Sequence, residues 1–139
     1  MEYKKIGNHY VVRIDPGEEI LAKITGLCRE ENIRVGSAVG LGAVNRVTVG
    51  LFDTEKKVYR KKEFAGPMEI TSLVGNISTK DGETYLHFHI TVCDEEMKVR
   101  GGHLNEAWVS ATAEIMITAL EGTIERRMSE QIGLNLYQF

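Results

Sequence analysis

The chain is poor in cysteine: Cys28 and Cys93 are too few for a disulfide framework, and nothing else suggests secretion. It has no apolar run near the roughly 18–20 residues of a membrane span, which argues against a transmembrane protein. Its start, Met1-Glu2-Tyr3-Lys4-Lys5, lacks the apolar centre of a signal peptide, so a cytoplasmic product is expected. A basic excess is missing too. The net charge is -3 with acids and bases intermixed, whereas a protein that grips DNA through phosphates normally shows a basic excess or a basic face. The nearest approach, Lys56-Lys57-Val58-Tyr59-Arg60-Lys61-Lys62, reads first as an edge strand whose lysines discourage sheet-to-sheet pairing, and second as a nucleic-acid surface. There is no repeat, linker or low-complexity segment.

What is present is a soluble composition, 42% hydrophobic and 27% charged over 139 residues, enough for one domain with a real core (residues 1–139) and too little for two. Residues 8–14 read as a strand closed by Asp15-Pro16-Gly17. Asp15 is the expected N-cap of a helix, Pro16 its first residue, and Glu18 and Glu19 add negative charge to its first turn. Ile20, Leu21, Ile24, Leu27 and Cys28 form one apolar stripe, so this helix runs to about Asn32.

Gly40-Leu41-Gly42 resembles the start of a dinucleotide fingerprint, but Asn45 stands where a third glycine belongs and strand-like sequence follows, which excludes a Rossmann loop. Further strands are expected at Arg46 to Phe52, Val58 to Phe64, Met68 to Ser78, Thr84 to Val92 and Met97 to His103, with a closing segment around Leu134 to Tyr137. Ala65-Gly66-Pro67 and Lys80-Asp81-Gly82 read as turns between them. Ala107 to Leu120 suits helix or strand, and its β-branched second half favours strand. The expectation is an α+β fold: a mixed, largely antiparallel sheet packed with one principal helix.

Chemistry concentrates in His87-Phe88-His89 and Gly101-Gly102-His103. Histidines at i and i+2 on a strand share a face with Cα atoms roughly 6.5–7 Å apart, so their imidazoles can converge on one ion. Leu86, Phe88, Ile90 and Val92 then form the opposite, apolar face. If Met97 and Val99 join that apolar face, His103 points the wrong way unless the return strand carries one extra residue. Gly101-Gly102 is the cheapest place for such a bulge, which would set His103 opposite His87. The alternative is a Gly-Gly turn with an incidental histidine. Cys93 lies roughly 13 Å along the strand from His89, beyond a shared ligand set, and Cys28 reads as a small core residue.

The run Gly66-Pro67-Met68-Glu69-Ile70-Thr71-Ser72-Leu73-Val74-Gly75-Asn76-Ile77, followed by His87-Phe88-His89 and Gly101-Gly102-His103-Leu104, resembles the PPC domain (plants and prokaryotes conserved domain). The Arg13-Ile14-Asp15-Pro16-Gly17-Glu18 entry to the helix and the closing Glu130-Gln131-Ile132-Gly133-Leu134 extend the likeness to stand-alone prokaryotic members. The resemblance implies a homotrimer and a divalent ion, zinc above others, held by His87, His89 and His103. In the plant AT-hook nuclear-localised proteins the domain follows an Arg-Gly-Arg-Pro type segment that enters the DNA minor groove. These 139 residues contain no such segment, so specific DNA binding is not expected.

Two functions remain open. One is a metal-dependent site acting on or sensing a small molecule, with Glu69 and Glu114 as candidate bases or orienting carboxylates, against a plain surface role for both. The other is a trimeric DNA-binding or protein-interaction module in which the metal is structural.

Overall fold

The alternating pattern of this sequence builds strands, and the computed structural model, which describes residues 1–139, is dominated by them. The chain order is β1 (Glu2–Ile6), β2 (His9–Ile14), α1 (Ile20–Glu30), β3 (Gly36–Asp53), β4 (Val58–Lys80), β5 (Glu83–Asp94), β6 (Val99–Ala119), β7 (Glu125–Ser129) and β8 (Leu134–Gln138). All pairings are antiparallel except one parallel contact, Thr79 with Glu125, between β4 and β7. The expected α+β description holds in its sheet; helix is the minor partner, eleven residues long.

Four long strands close on one another. β3 pairs with β4 on one side and β6 on the other, and β5 bridges β4 to β6. The β1–β2 hairpin extends from β6, and the β7–β8 hairpin hangs from β4. One contiguous apolar cluster fills the interior, with Phe88, Ile90 and Val92 of β5 buried beside Leu73 and Ile77 of β4. Each such side chain contributes roughly 1.5–3 kcal/mol by leaving water. The buried stripe of α1, Ile20, Ile24, Leu27 and Cys28, caps this core against β5 and β6. Burial pushes the Cys28 thiol up to about 12, as befits a core residue.

The helix starts later than its sequence suggests. Glu19, not Asp15, is the N-cap, its carboxylate accepting from the amides of Leu21 (3.1 Å) and Ala22 (2.6 Å). Pro16 lies outside the helix because residues 17–19 are tied to β6: the Gly17 amide donates to the Val109 carbonyl, Val109 returns a bond to Glu18, and the Ala107 amide donates to Glu19. Asp15 instead accepts from the N-terminal amine at 2.8 Å.

Of the two expected turns, Lys80-Asp81-Gly82 is present, joining β4 to β5 with Asp81 at φ +53 and Gly82 at φ +80, and the other is absent. Ala65-Gly66-Pro67 lies within continuous β4, at a slip in register between Val44↔Met68 and Arg46↔Ala65, where a proline without an N–H disrupts no ladder bond. The segments expected at Met97 to His103 and Ala107 to Leu120 are likewise joined in one unbroken strand, β6, and the strand expected at Arg46 to Phe52 begins earlier, at Gly36. Gly42 sits inside β3 with φ +151, and a side chain there would collide with the Thr112 carbonyl, so the glycines here serve close strand packing. Residues 58–64 pair only with β3, which makes the lysine-rich segment a sheet edge. No helix is long and apolar enough to cross a membrane.

Candidate metal centre

The alternation of β5 turns Phe88 and Ile90 inward and leaves His87 and His89 on the outer face. β6 brings His103 directly opposite His89, with Gly102 and Gly101 opposite Ile90 and Thr91. The expected bulge at Gly101-Gly102 is not there, and His103 faces His89 instead of His87. The physical reason is a longer turn. Asp94 to Lys98 closes through a bond between the Asp94 amide and the Lys98 carbonyl, Met97 adopts φ +60, and pairing resumes with Val99 opposite Cys93. Met97 and Val99 therefore lie exposed, not in the apolar face, and the ladder from Val99 to His103 needs no extra residue.

An irregularity does occur just beyond His103. Against β3, Gly50↔His103 and Val49↔Leu104 give way to Thr48↔Glu106, leaving Asn105 unpaired. Its amide donates to the His103 carbonyl at 3.0 Å and to the Tyr59 hydroxyl at 2.8 Å. Tyr59 in turn sits edge-on to the His103 ring, centroids 6.2 Å apart, and passes over Gly50, where any side chain would overlap it. Tyr59 and Asn105 thus buttress one corner of the histidine group.

The three imidazoles form a compact triangle. Their centroids are 5.2 Å (His87–His89), 5.2 Å (His87–His103) and 5.5 Å (His89–His103) apart, and one nitrogen from each lies within 4.8 Å of the others. A tetrahedral ion with bonds of about 2.0–2.1 Å needs nitrogens roughly 3.3 Å apart, so the rings would draw closer together to hold one. Burial, followed by the charges of His103, Arg126 and His89, lowers His87 to about 4. Burial, then His89 and Lys61, lowers His103 as well. Both rings are therefore neutral near pH 7 and offer lone pairs without first shedding a proton. No cysteine or carboxylate joins the group, so the chemistry of the donor set fits a borderline divalent ion with a remaining position open to water or ligand.

All three histidines line a cleft of about 570 Å³ between the β5–β6 face and the β7–β8 hairpin. Leu51, Phe52, Leu134 and Leu136 supply apolar walls, and Tyr85, Arg126 and Asn135 supply polar groups. Glu69, opposite Cys93 on β4, and Glu114, opposite Arg13 on β6, are exposed and do not line this cleft. Sequence reasoning did not reach Tyr59, Tyr85, Arg126 or Asn135. The β7 strand was itself not anticipated, because Glu125-Arg126-Arg127 has the look of a solvated charge run.

The sequence profile of the Plants and Prokaryotes Conserved (PCC) domain matches residues 1–121. The chain belongs to that family. Among solved structures, a protein of Bacteroides thetaiotaomicron provisionally named as DNA-binding is 38% identical, with a TM-score of 0.97 over 99% of this chain and 96% of its own. The metal-containing protein AF0104 of Archaeoglobus fulgidus is 33% identical, with a TM-score of 0.88 over 100% and 99% of the two chains. The bifunctional protein GlmU of Synechococcus sp. (strain JA-3-3Ab) is 28% identical over 125 residues, and this PCC chain spans only 18% of its length. The family profile stops before β7 and β8, so it contains the histidine face of the cleft and not the hairpin opposite.

Proposed function

We propose that this PCC-domain protein is a homotrimer that binds one divalent ion, zinc above others, through His87, His89 and His103, and uses the open coordination position to act on or sense a small molecule. The observation that carries the reading is the convergence of three imidazoles, two of them, His87 and His103, favoured in the neutral form by burial, at the wall of a cleft of about 570 Å³, a volume suited to a small organic molecule. A relative 33% identical over its whole length is named as metal-containing, which supports an ion here. Such an ion would polarise a ligand oxygen or lower the pKa of bound water toward about 7. The trimer is supported by an apolar strip left exposed on the sheet, where Val39 (56%), Leu41 (62%) and Val74 (48%) adjoin Val11 and Met116.

The test is elemental analysis of the purified protein combined with light scattering. One zinc equivalent per chain and a trimer mass are expected; a metal-free protein that takes up no added zinc, or a monomer across a wide concentration range, would defeat the respective half of the proposal. A second reading, a DNA-binding module with a structural ion, draws on the exposed Arg60, Lys61 and Lys62 of the β4 edge and on the name of the Bacteroides relative. Under the first reading, DNA binding is weak, nonspecific and lost as salt rises. Sequence-selective nanomolar binding at physiological salt would favour the second.

A further inference from the structure

Arg126 is a buried cation without an anion. It is 7% exposed, no carboxylate lies within ion-pair distance of it, and a guanidinium does not shed its proton to escape the cost of burial. Its orientation is nevertheless fixed. Nε donates to the Ser78 hydroxyl at 2.8 Å, Nη1 donates to the Asn135 carbonyl at 2.9 Å, and the planar group lies 4.9 Å from the Tyr85 ring centre and 4.1 Å from that of Tyr137. Of the five N–H donors of an arginine, three are left without a protein acceptor, on a side chain that lines the cleft.

A second group beside it is also unsatisfied. The Asn135 side-chain oxygen is buried with no partner, while its nitrogen lies 3.4 Å from the Tyr85 hydroxyl. That nitrogen makes one long bond to Tyr85 and keeps a second N–H, on a side chain that also lines the cleft. Arg126 and Asn135 thus line the same cleft as the histidine triangle, together with the apolar side chains of Leu51, Phe52, Leu134 and Leu136.

We propose that this cleft binds a small organic anion, its carboxylate or phosphoryl end held by Arg126 and Asn135 and its body directed toward the histidine triangle. The inference rests on the reading of the cleft as a small-molecule site, yet its anion-binding half does not require the metal. Apolar walls favour an organic body over a bare inorganic ion, and a planar fork with free donors matches a pair of anionic oxygens.

Calorimetric titration of the full chain, zinc-loaded and metal-free, with benzoate, phenyl phosphate, inorganic phosphate and the neutral isostere benzamide tests this. Benzoate or phenyl phosphate should bind at least about tenfold more tightly than benzamide, the preferred one showing which anionic end the cleft takes. Arg126→Gln should weaken that binding by at least about tenfold while retaining zinc stoichiometry. Because Arg126→Gln also removes stacking on two tyrosines, Asn135→Asp is the companion variant. A built-in carboxylate beside Arg126 should raise the melting temperature and weaken the organic anion by at least about tenfold.

Equal affinity for benzoate and benzamide, no binding of either organic anion in both metal states, binding of inorganic phosphate alone, or anion affinity unmoved in Asn135→Asp would each overturn the proposal, leaving Arg126 as a clamp for the hairpin. Loss of zinc binding with anion affinity that still depends on Arg126 would sink the metal reading and keep this one.

Discussion

The two walls of the cleft are built in opposite ways. The histidine wall is the outer surface of strands whose inner surface is the core: His87 and His89 flank Phe88, which is 1% exposed, and β5 is paired with β4 along its length and with β6 from His89 to Cys93. The hairpin wall meets the body through a single strand pair at Thr79, through Arg126 and through side-chain bonds such as Thr79 to Glu125, Lys57 to the Glu130 carbonyl and Asn135 to Tyr85, and its apolar residues Leu134 and Leu136 are 37% and 42% exposed. One wall inherits its rigidity from packing; the other is held by a few polar and stacking contacts. A site made this way would hold the proposed metal-binding imidazoles fixed and leave the proposed anion-binding side free to vary.

The sharpest way to break this contrast is to empty the histidine wall. His87→Ala with His103→Ala should abolish metal binding, from one equivalent to none, yet leave a folded trimer with a modest loss of thermal stability. Polar groups leave an outer face while the core behind it is untouched. Unfolding or dissociation of this double variant would make the ion a structural clamp and remove support for a reactive site.

A smaller effect compares the walls directly by denaturant unfolding. Phe88→Ala should cost about 3–5 kcal/mol, the usual loss for a fully buried aromatic. Leu136→Ala should cost less than about 1 kcal/mol, because that side chain already meets water. Comparable losses would mean that the hairpin is as much a part of the core as β5. Hydrogen exchange sharpens the point: amides of Glu125–Ser129 and Leu134–Gln138 should exchange well before those of His87–Val92.

The histidine wall was legible in the sequence because a strand has a period of two, and His87-Phe88-His89 amid alternating apolar residues fixes which face carries the imidazoles. The partner of His103 was not. Register depends on turn length, and nothing local reveals that Met97 takes a left-handed conformation and delays pairing to Val99. The helix stripe was readable, but its start was not, since the bonds between residues 17–19 and Val109 and Ala107 are long-range. The hairpin wall escaped altogether: Arg126 becomes a buried cation only through Ser78, Tyr85 and Asn135, none near it in β7. Glu69 and Glu114 drew notice for their sequence surroundings, and both stand away from the cleft.

The smallest expected effect is on pH dependence. His87 titrates near 6.5 when unfolded and near 4 when folded, so the unfolded chain takes up a proton that the folded one refuses. The metal-free protein should therefore hold this contribution to stability above about pH 6.5, lose it gradually as pH falls toward 4, and change no further from this source below that. Melting curves of wild type and His87→Ala across this window should converge toward acid; parallel curves would show that His87 is freely solvated.

The turn from Asp94 to Lys98 has a consequence that reaches beyond its own residues. Asp94 Oδ1 accepts from the amides of Glu96 at 3.1 Å and Lys98 at 2.9 Å, so one carboxylate fixes how many residues the chain spends reversing direction. That number has a parity, and the parity decides whether His103 emerges on the side of His89 or is turned into the interior. Shortening the turn by one residue, with every histidine retained, would scramble the triangle as surely as deleting a ligand. In this protein part of the instruction for gathering the three imidazoles is arithmetic, stored in a loop that touches none of them.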